Sequence, residues 1–224
     1  MGVDSKSELH YVVNPPATQT SPPLPSIARL KTTMANTKPG ERKLQILQAL
    51  AAMLQNPKSE KITTAALAAR LDVSEAALYR HFASKAQMYE GLIEFIETSI
   101  FTLINQITQN EESGQIQAAN IAGVLLDFAE ENPGMTKVLI GDVLVNEDER
   151  LQHRMNQFVE RVELGLRQSW KLAASQGVIS ESQATIRASM MMAFVIGRWH
   201  RFAKSGFYLK PSDDADLMLG LLVA

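Results

Sequence analysis

The chain has 224 residues, of which 46% are hydrophobic, 21% charged and 6% aromatic, a composition typical of a globular protein with a sizeable core. It has no cysteine, which excludes disulfides and thiolate metal sites and suits a reducing cytoplasm. No apolar run approaches the roughly 20 residues that cross a bilayer, and the N-terminus lacks the basic flank and apolar core of a secretory signal.

The net charge of -2 is unevenly distributed along the chain. Residues 35–90 contain eight basic and five acidic residues, whereas residues 91–224 contain eleven basic and seventeen acidic residues. A positive segment followed by a negative one is expected when only the first folded domain faces nucleic acid. A chance distribution is the alternative explanation.

The first 34 residues contain five of the nine prolines and have no sustained apolar period. We therefore predict a disordered, proline-rich tail over residues 1–34 rather than a docking segment. Met34 is a candidate translation start, in which case this tail lies upstream of the natural protein.

The next stretch predicts one longer helix followed by two short ones. Lys38 to Gln55 has apolar residues on one face, and Thr64 to Leu71 and Glu75 to Phe82 form two short helical patterns. Only Asp72, Val73 and Ser74 separate the short helices, so they must cross steeply, and Ser74 can cap the second one. This pattern predicts a helix-turn-helix that presents its second helix outward.

The outward side chains of the second helix are the candidates for contact with DNA. Ser74, Tyr79, His81 and Lys85 are suited to gripping phosphates, while a helix inserted in a major groove reads base edges. Any one of these residues alone is more often a solvated surface group. Their combination in this spacing favours nucleic-acid binding.

The rest of the chain predicts further helices. Their bounds are Ser84 to about Ile107, Ile116 to Glu131, Met135 to about Leu144, Asp148 to about Ser175, and a last long helix to about Lys204, capped by Ser180 and Gln183. Phe95 and Phe101 fall off the apolar stripe of the first of these helices. Phe95 therefore meets either a second layer or a groove.

The last long helix is apolar nearly all round between Met190 and Ile196. One small chain can hardly cover such a helix, so we expect the last two long helices to pair with their copies in a two-fold four-helix bundle. A homodimer would also present two recognition helices to a palindrome. The alternative is a methionine-rich ligand pocket.

Catalytic and metal-binding patterns are missing from the sequence. The four histidines, His10, His81, His153 and His200, are scattered, and no hydrolase, metalloprotease or phosphate-loop motif occurs. We expect neither an enzyme nor a cofactor or metal site.

The stretch from Ile62 to Leu92 resembles the DNA-binding domain of the TetR family of bacterial regulators. The family's Tyr-x-His/Arg-Phe-x-x-Lys pattern is matched by Tyr79, His81, Phe82 and Lys85. The resemblance implies an all-α, TetR-like fold, with a helix-turn-helix DNA-binding domain over residues 35–90 and a helical dimerisation and partner-binding domain over residues 91–224. It also implies phosphate contacts from Thr63 and Thr64 and base-edge contacts from Ala76, Ala77 and Arg80.

Further segments resemble the nucleoid occlusion factors, a group within that family. They are SEAALYRHF, LIEFIE, NPGMTKVL, DERLQHRMNQFVERVE and RFAKSGFYLKPSDD, which begin at Ser74, Leu92, Asn132, Asp148 and Arg201. The resemblance implies a nucleoid-associated protein that binds palindromic chromosomal sites and, while bound, disrupts polymers of the cell-division GTPase FtsZ. A ligand-responsive transcriptional repressor is the alternative.

The same resemblance implies contacts with the FtsZ C-terminal tail. They fall on Phe95, Val124 and Asn132, between the long linker helix and the next helix. Leu103 and Glu131 depart from the expected pattern, because they stand where basic residues would suit an acidic, apolar tail.

Overall fold

The computed structural model describes residues 39–56 and 62–224, and these residues contain nine α-helices and no strand. The helices are α1 (Pro39–Leu54), α2 (Thr64–Arg70), α3 (Glu75–Tyr79), α4 (Lys85–Asn110), α5 (Gly114–Glu131), α6 (Pro133–Leu139), α7 (Glu149–Ser175), α8 (Gln183–Lys204) and α9 (Ala215–Val223). The predicted proline-rich tail, residues 1–34, lies outside the described residues. The all-helical prediction is confirmed for the described part of the chain.

The helix-turn-helix forms where the sequence predicts it, with shorter helices. The Thr63 hydroxyl accepts a hydrogen bond from the Ala66 amide at 3.1 Å, and the Ser74 hydroxyl accepts one from the Ala77 amide at 3.3 Å. The second contact confirms the predicted cap by Ser74. The second helix ends at Tyr79 because the backbone then turns tightly and buries Phe82 before α4 begins.

Helix α4 links the helix-turn-helix to the rest of the molecule. Ser84 caps it through the Gln87 amide, and its buried face packs in the core. Phe101 lies outside the predicted stripe because its ring packs edge-on against Phe158 of α7, with the ring centroids 5.6 Å apart. Phe95 is half-buried at the edge of the core.

The sequence Asn132-Pro133-Gly134 joins two helices directly. Asn132 ends α5, and Pro133 is the first residue of α6, a position where the missing proline amide costs nothing. The predicted helix from Met135 to Leu144 is wrong at both ends. Turns replace its second half, where Gly141 adopts a φ of +75° that glycine tolerates.

The C-terminal helices differ from the prediction at two points. The capping box of α8 is only half formed, because the Ser180 amide donates to Gln183 Oε1 while the Ser180 hydroxyl faces Ser182. The sequence reading also missed α9. Arg187 of α8 holds the end of α9 by donating to the carbonyl oxygens of Leu222 and Val223.

Helix α6 docks closely on α1. A Cβ atom added at Gly134 would lie 2.1 Å from the carbonyl oxygen of Ala51, so only glycine permits this approach. Lys137 donates to the carbonyl oxygen of Asn56, just after α1, at 2.9 Å. Burial lowers the pKa of Lys137. The helix-turn-helix is thus tied to the helical body through backbone atoms.

Within the described residues, no helix is both long and apolar enough to cross a membrane.

Replacing Gly134 with alanine is expected to destabilise the protein. The new methyl group must push α1 and α6 apart, and such overpacking costs about 1–3 kcal/mol. Gly123→Ala is the matched control, because no atom lies within 4 Å of its added Cβ and α5 should gain about 0.5–1 kcal/mol. Chemical denaturation of both variants measures the difference, and equal stabilities would contradict this account of the α1–α6 contact.

Candidate nucleic-acid interface

The outer face of α3 forms a small polar surface. Leu78 and Phe82 are buried and hold the helix against the core, whereas Ala76 and Arg80 are exposed and Tyr79 is 46% exposed. Ala77 and His81 are half-buried at its sides. The small alanines leave the backbone of α3 close to the surface, and Arg80 adds a planar set of donors that can read a guanine edge.

The two helix starts beside this face are capped by hydroxyl groups. Thr63 and Ser74 are exposed and already accept hydrogen bonds from the amides of their own helices. Thr64 donates its hydroxyl to a carboxylate oxygen of Glu75 at 2.6 Å, which connects α2 to α3. These contacts fix the angle between the two helices and leave the hydroxyl groups of Thr63 and Ser74 at the surface.

Lys85 lies at the start of α4 and is not a freely solvated charge. Its ammonium group pairs with the carboxylate of Glu147, in the turns between α6 and α7, and lies 5.5 Å from the centre of the Tyr89 ring. Burial and the nearby Glu147 charge both raise the pKa of the Tyr89 hydroxyl. A phosphate approaching Lys85 would therefore meet a carboxylate already bound there.

Three contacts around this surface were missed by the sequence reading. They are the Lys85–Glu147 pair, the Lys137 hydrogen bond to Asn56, and Lys43 over the Phe82 ring at 5.6 Å. Glu147 lies 62 residues after Lys85, so no local pattern could connect them. The three lysines were visible in the sequence, but their partners depend on how the helices pack.

The residues predicted to contact a partner differ in how deeply they are buried. Phe95 and Val124 are half-buried at the surface, as are Leu103 and Glu131. Asn132 is buried, and its side-chain amide donates to the carbonyl oxygen of Phe128 at 2.9 Å. In this arrangement Asn132 shapes the α5–α6 corner, and its contact with a partner stays a prediction.

Negative charges surround Asp127, which lies about one helical turn from Val124 on α5. Burial, together with the charges of Glu130, Glu131 and Asp216, raises the pKa of Asp127. An acidic segment docking here would gain nothing from these charges.

Residues 39–56 and 62–224 contain no group of three or more histidine, cysteine, aspartate or glutamate side chains placed to hold a metal ion. The exposed outer face of α3 carries the small Ala76 and the hydrogen-bond donors Tyr79 and Arg80, while the exposed Glu75 at its start accepts from Thr64. Their arrangement suits insertion into the major groove of a duplex.

Comparison with known protein families gives two adjacent matches. Residues 46–92 match the family model for bacterial regulatory proteins of the tetR family. Residues 114–223 match the SlmA-like model for the Tetracyclin repressor-like C-terminal domain. The exact division at residues 35, 90 and 91 stays a prediction.

Curated relatives resemble this chain over most of its length. The nucleoid occlusion factor SlmA of Alteromonas mediterranea is 45% identical over 181 residues, which cover 80% of this chain and 93% of the relative. The SlmA of Photobacterium profundum is 45% identical over 196 residues, covering 85% of this chain and 98% of the relative. The SlmA of Escherichia fergusonii is 44% identical over 187 residues, covering 82% and 93%.

Solved structures share the fold at much lower identity. The TetR family regulator PfmR from Thermus thermophilus has a TM-score of 0.66 at 19% identity and covers 80% of this chain and 97% of its own. The regulator FadR from Bacillus subtilis, in complex with stearoyl-CoA, has a TM-score of 0.65 at 14% identity and covers 81% and 97%. The TetR-like fold predicted from the sequence is confirmed.

Replacing Arg80 with alanine is expected to weaken binding to a selected palindromic duplex by about 1–3 kcal/mol and to change random duplex binding much less. The physical reason is that an arginine on the exposed face of α3 reads base edges, which differ between the two duplexes. Fluorescence anisotropy with both duplexes measures the change.

Arg70→Ala is the matched control, because Arg70 is an exposed arginine at the end of α2 that is not among the predicted contacts. Equal losses on the two duplexes for Arg80→Ala would assign Arg80 to phosphate binding instead.

Proposed function

The chain belongs to the SlmA family of nucleoid occlusion factors within the TetR-type regulators, and we propose that it acts as a homodimer that binds palindromic chromosomal sites and, while bound, inhibits FtsZ ring assembly over the nucleoid. This activity would couple cell division to chromosome segregation. It places the protein on the nucleoid in the cytoplasm, as a DNA-binding regulator rather than a member of an enzyme class.

The observation that carries this proposal is the extent of the similarity. Identity of 45% extends over 181 and 196 residues, 80% and 85% of this chain, and residues 114–223 match the SlmA-like domain model. The ligand-responsive repressor has less support, because structural neighbours such as FadR in complex with stearoyl-CoA are 14% identical and share the fold alone.

Helix α8 supports the dimer because its two faces differ. One face is buried in the protomer and includes Met191, Val195 and Trp199. The other face exposes Ile186 at 61% and Met190 at 56%, and the exposed Ala193 and Gly197 follow on the same stripe. Small residues permit close approach of a second helix, so a second copy would cover this apolar stripe.

A surface of α4 and α5 supports contact with FtsZ. Phe95 and Val124 are apolar and half-buried there, so a short apolar segment can cover them without displacing the core. The neighbouring charges are negative, which means that this contact depends on apolar burial rather than on charge attraction.

The proposal is tested by sedimenting purified FtsZ polymers formed with GTP. We expect polymers to be lost when the protein and a palindromic duplex are both present, and to persist when either one is omitted. Phe95→Ala should retain duplex binding but leave the polymers intact, because it removes the apolar contact and leaves α3 unchanged.

Tyr208→Ala is the control, since it removes an 82% exposed aromatic ring after α8. Polymers that persist in every mixture with the unaltered protein would reject the FtsZ proposal and favour a ligand-responsive repressor.

The dimer is tested by Met190→Glu. A carboxylate within the apolar stripe would be desolvated on association, so we expect the mass to fall from twice 24.7 kDa towards 24.7 kDa in sedimentation equilibrium. Val145→Glu adds the same charge at a residue that is 76% exposed in the turns between α6 and α7, and it should leave the mass unchanged. An unaltered protein that sediments at 24.7 kDa would exclude the dimer.

A further inference from the structure

The pairing of Lys85 with Glu147 has a consequence for DNA affinity. Lys85 is the first residue of α4 and the predicted phosphate contact nearest to the helical body. Glu147 belongs to that body and follows α6 by eight residues. The two side chains are only 19% and 12% exposed, so water screens their interaction less than it screens an ordinary surface pair.

Glu147 is held in place by its surroundings. Its amide donates to the carbonyl oxygen of Leu144 at 3.0 Å, and Leu144 is buried in the core. The next residue, Asp148, caps α7 through the Arg150 amide at 3.1 Å. The backbone that carries Glu147 is therefore anchored on both sides, and the ion pair with Lys85 holds its carboxylate beside the start of α4.

A DNA phosphate and this carboxylate compete for one ammonium group. Lys85 has three donors and can bridge the two anions, but the carboxylate neutralises the lysine and repels the phosphate. Electrostatic affinity for DNA depends on how many phosphates the protein neutralises. A lysine that already has a counter-ion contributes less than a free one.

We propose that Glu147 is a positioning residue that lowers the affinity for DNA, because it holds Lys85 in an ion pair that every DNA phosphate at this point must displace or share. The inference rests on the proposed DNA binding and on Lys85 as a phosphate contact. Glu147 acts on affinity for all sequences alike and leaves discrimination between sequences to the face of α3.

The test is Glu147→Gln, which keeps the shape of the side chain and removes its charge. We expect binding to tighten by roughly fivefold at about 0.15 M salt, equally for the palindromic and random duplexes. The plot of log binding constant against log salt concentration should steepen by about 0.9, the value of one additional neutralised phosphate. A purely structural role for Glu147 would not steepen this plot.

Glu97→Gln is the matched control. Glu97 is also a partly buried α4-side carboxylate in an ion pair, with Arg154 at 2.6 Å, so the change in net charge is the same. It lies twelve residues along α4 from Lys85, about 18 Å away, which is beyond the Debye length of about 8 Å. Glu97→Gln should therefore leave DNA affinity unchanged.

A double-variant cycle separates the proposed cause from others. In a Lys85→Gln background, Glu147→Gln should no longer tighten binding, because the competed ammonium group is gone. Weaker or unchanged binding for Glu147→Gln alone would overturn the inference, as would tightening that persists without Lys85. If the unaltered protein binds neither duplex, the proposed function itself fails, and this inference fails with it.

Discussion

The contact between α1 and α6 determines where the recognition helix stands on the molecule. Gly134 approaches the Ala51 carbonyl so closely that no side chain fits between them, and Lys137 binds the Asn56 carbonyl just beyond α1. Both contacts are made to backbone carbonyl groups at the end of α1, which cannot move aside as a flexible side chain can. Since α2 packs on α1 and α3 packs on α2, the outer face of α3 is held in a fixed direction.

Helix α4 connects the helix-turn-helix to the helices of the proposed dimer interface. At its start Lys85 meets Glu147, and further along Glu97 pairs with Arg154 of α7. The edge-on packing of Phe101 against Phe158 adds an apolar contact between the same two helices. Because α7 packs extensively on α8, a dimer built on the exposed stripe of α8 would set the distance between two recognition helices through α7 and α4. That distance must suit half-sites one helical turn apart, about 34–36 Å.

Features of the fold that depend on neighbouring residues were predictable from the sequence. Ser74 and Ser84 cap helices because a hydroxyl at that position reaches the amides of the next turn, and the apolar spacing of α4 and α7 follows directly from helical geometry. The short loop at residues 72–74 also permits only a steep crossing. Both the family and the all-helical fold followed from these local patterns and the resemblance they carry.

Features that depend on distant residues were not predictable. Helix α9 is short and apolar on most sides, and it is held by Arg187 and by packing on α5 rather than by a local helix signal. Asn132 looked like a surface contact in the sequence, yet the corner between α5 and α6 buries it. The roles of individual residues towards DNA and FtsZ stay predictions, because a local pattern gives exposure and chemistry but not the partner's position.

The proposed action on FtsZ should require DNA, because the contact expected at Phe95 and Val124 is weak for a single protomer. Leu103 and Glu131 supply no positive charge, and Asp127 lies one helical turn from Val124, so the proposed contact gains little from these residues by charge attraction and each copy of it would be weak. Weak contacts become effective when several are linked, because each later contact forms at a high effective concentration. If one chromosomal site held more than one of the proposed dimers, several copies of this contact would face the repeated tails of one FtsZ polymer. In this account DNA need not change the shape of the protein, since it gathers enough copies of a weak surface to match the repeats of the polymer.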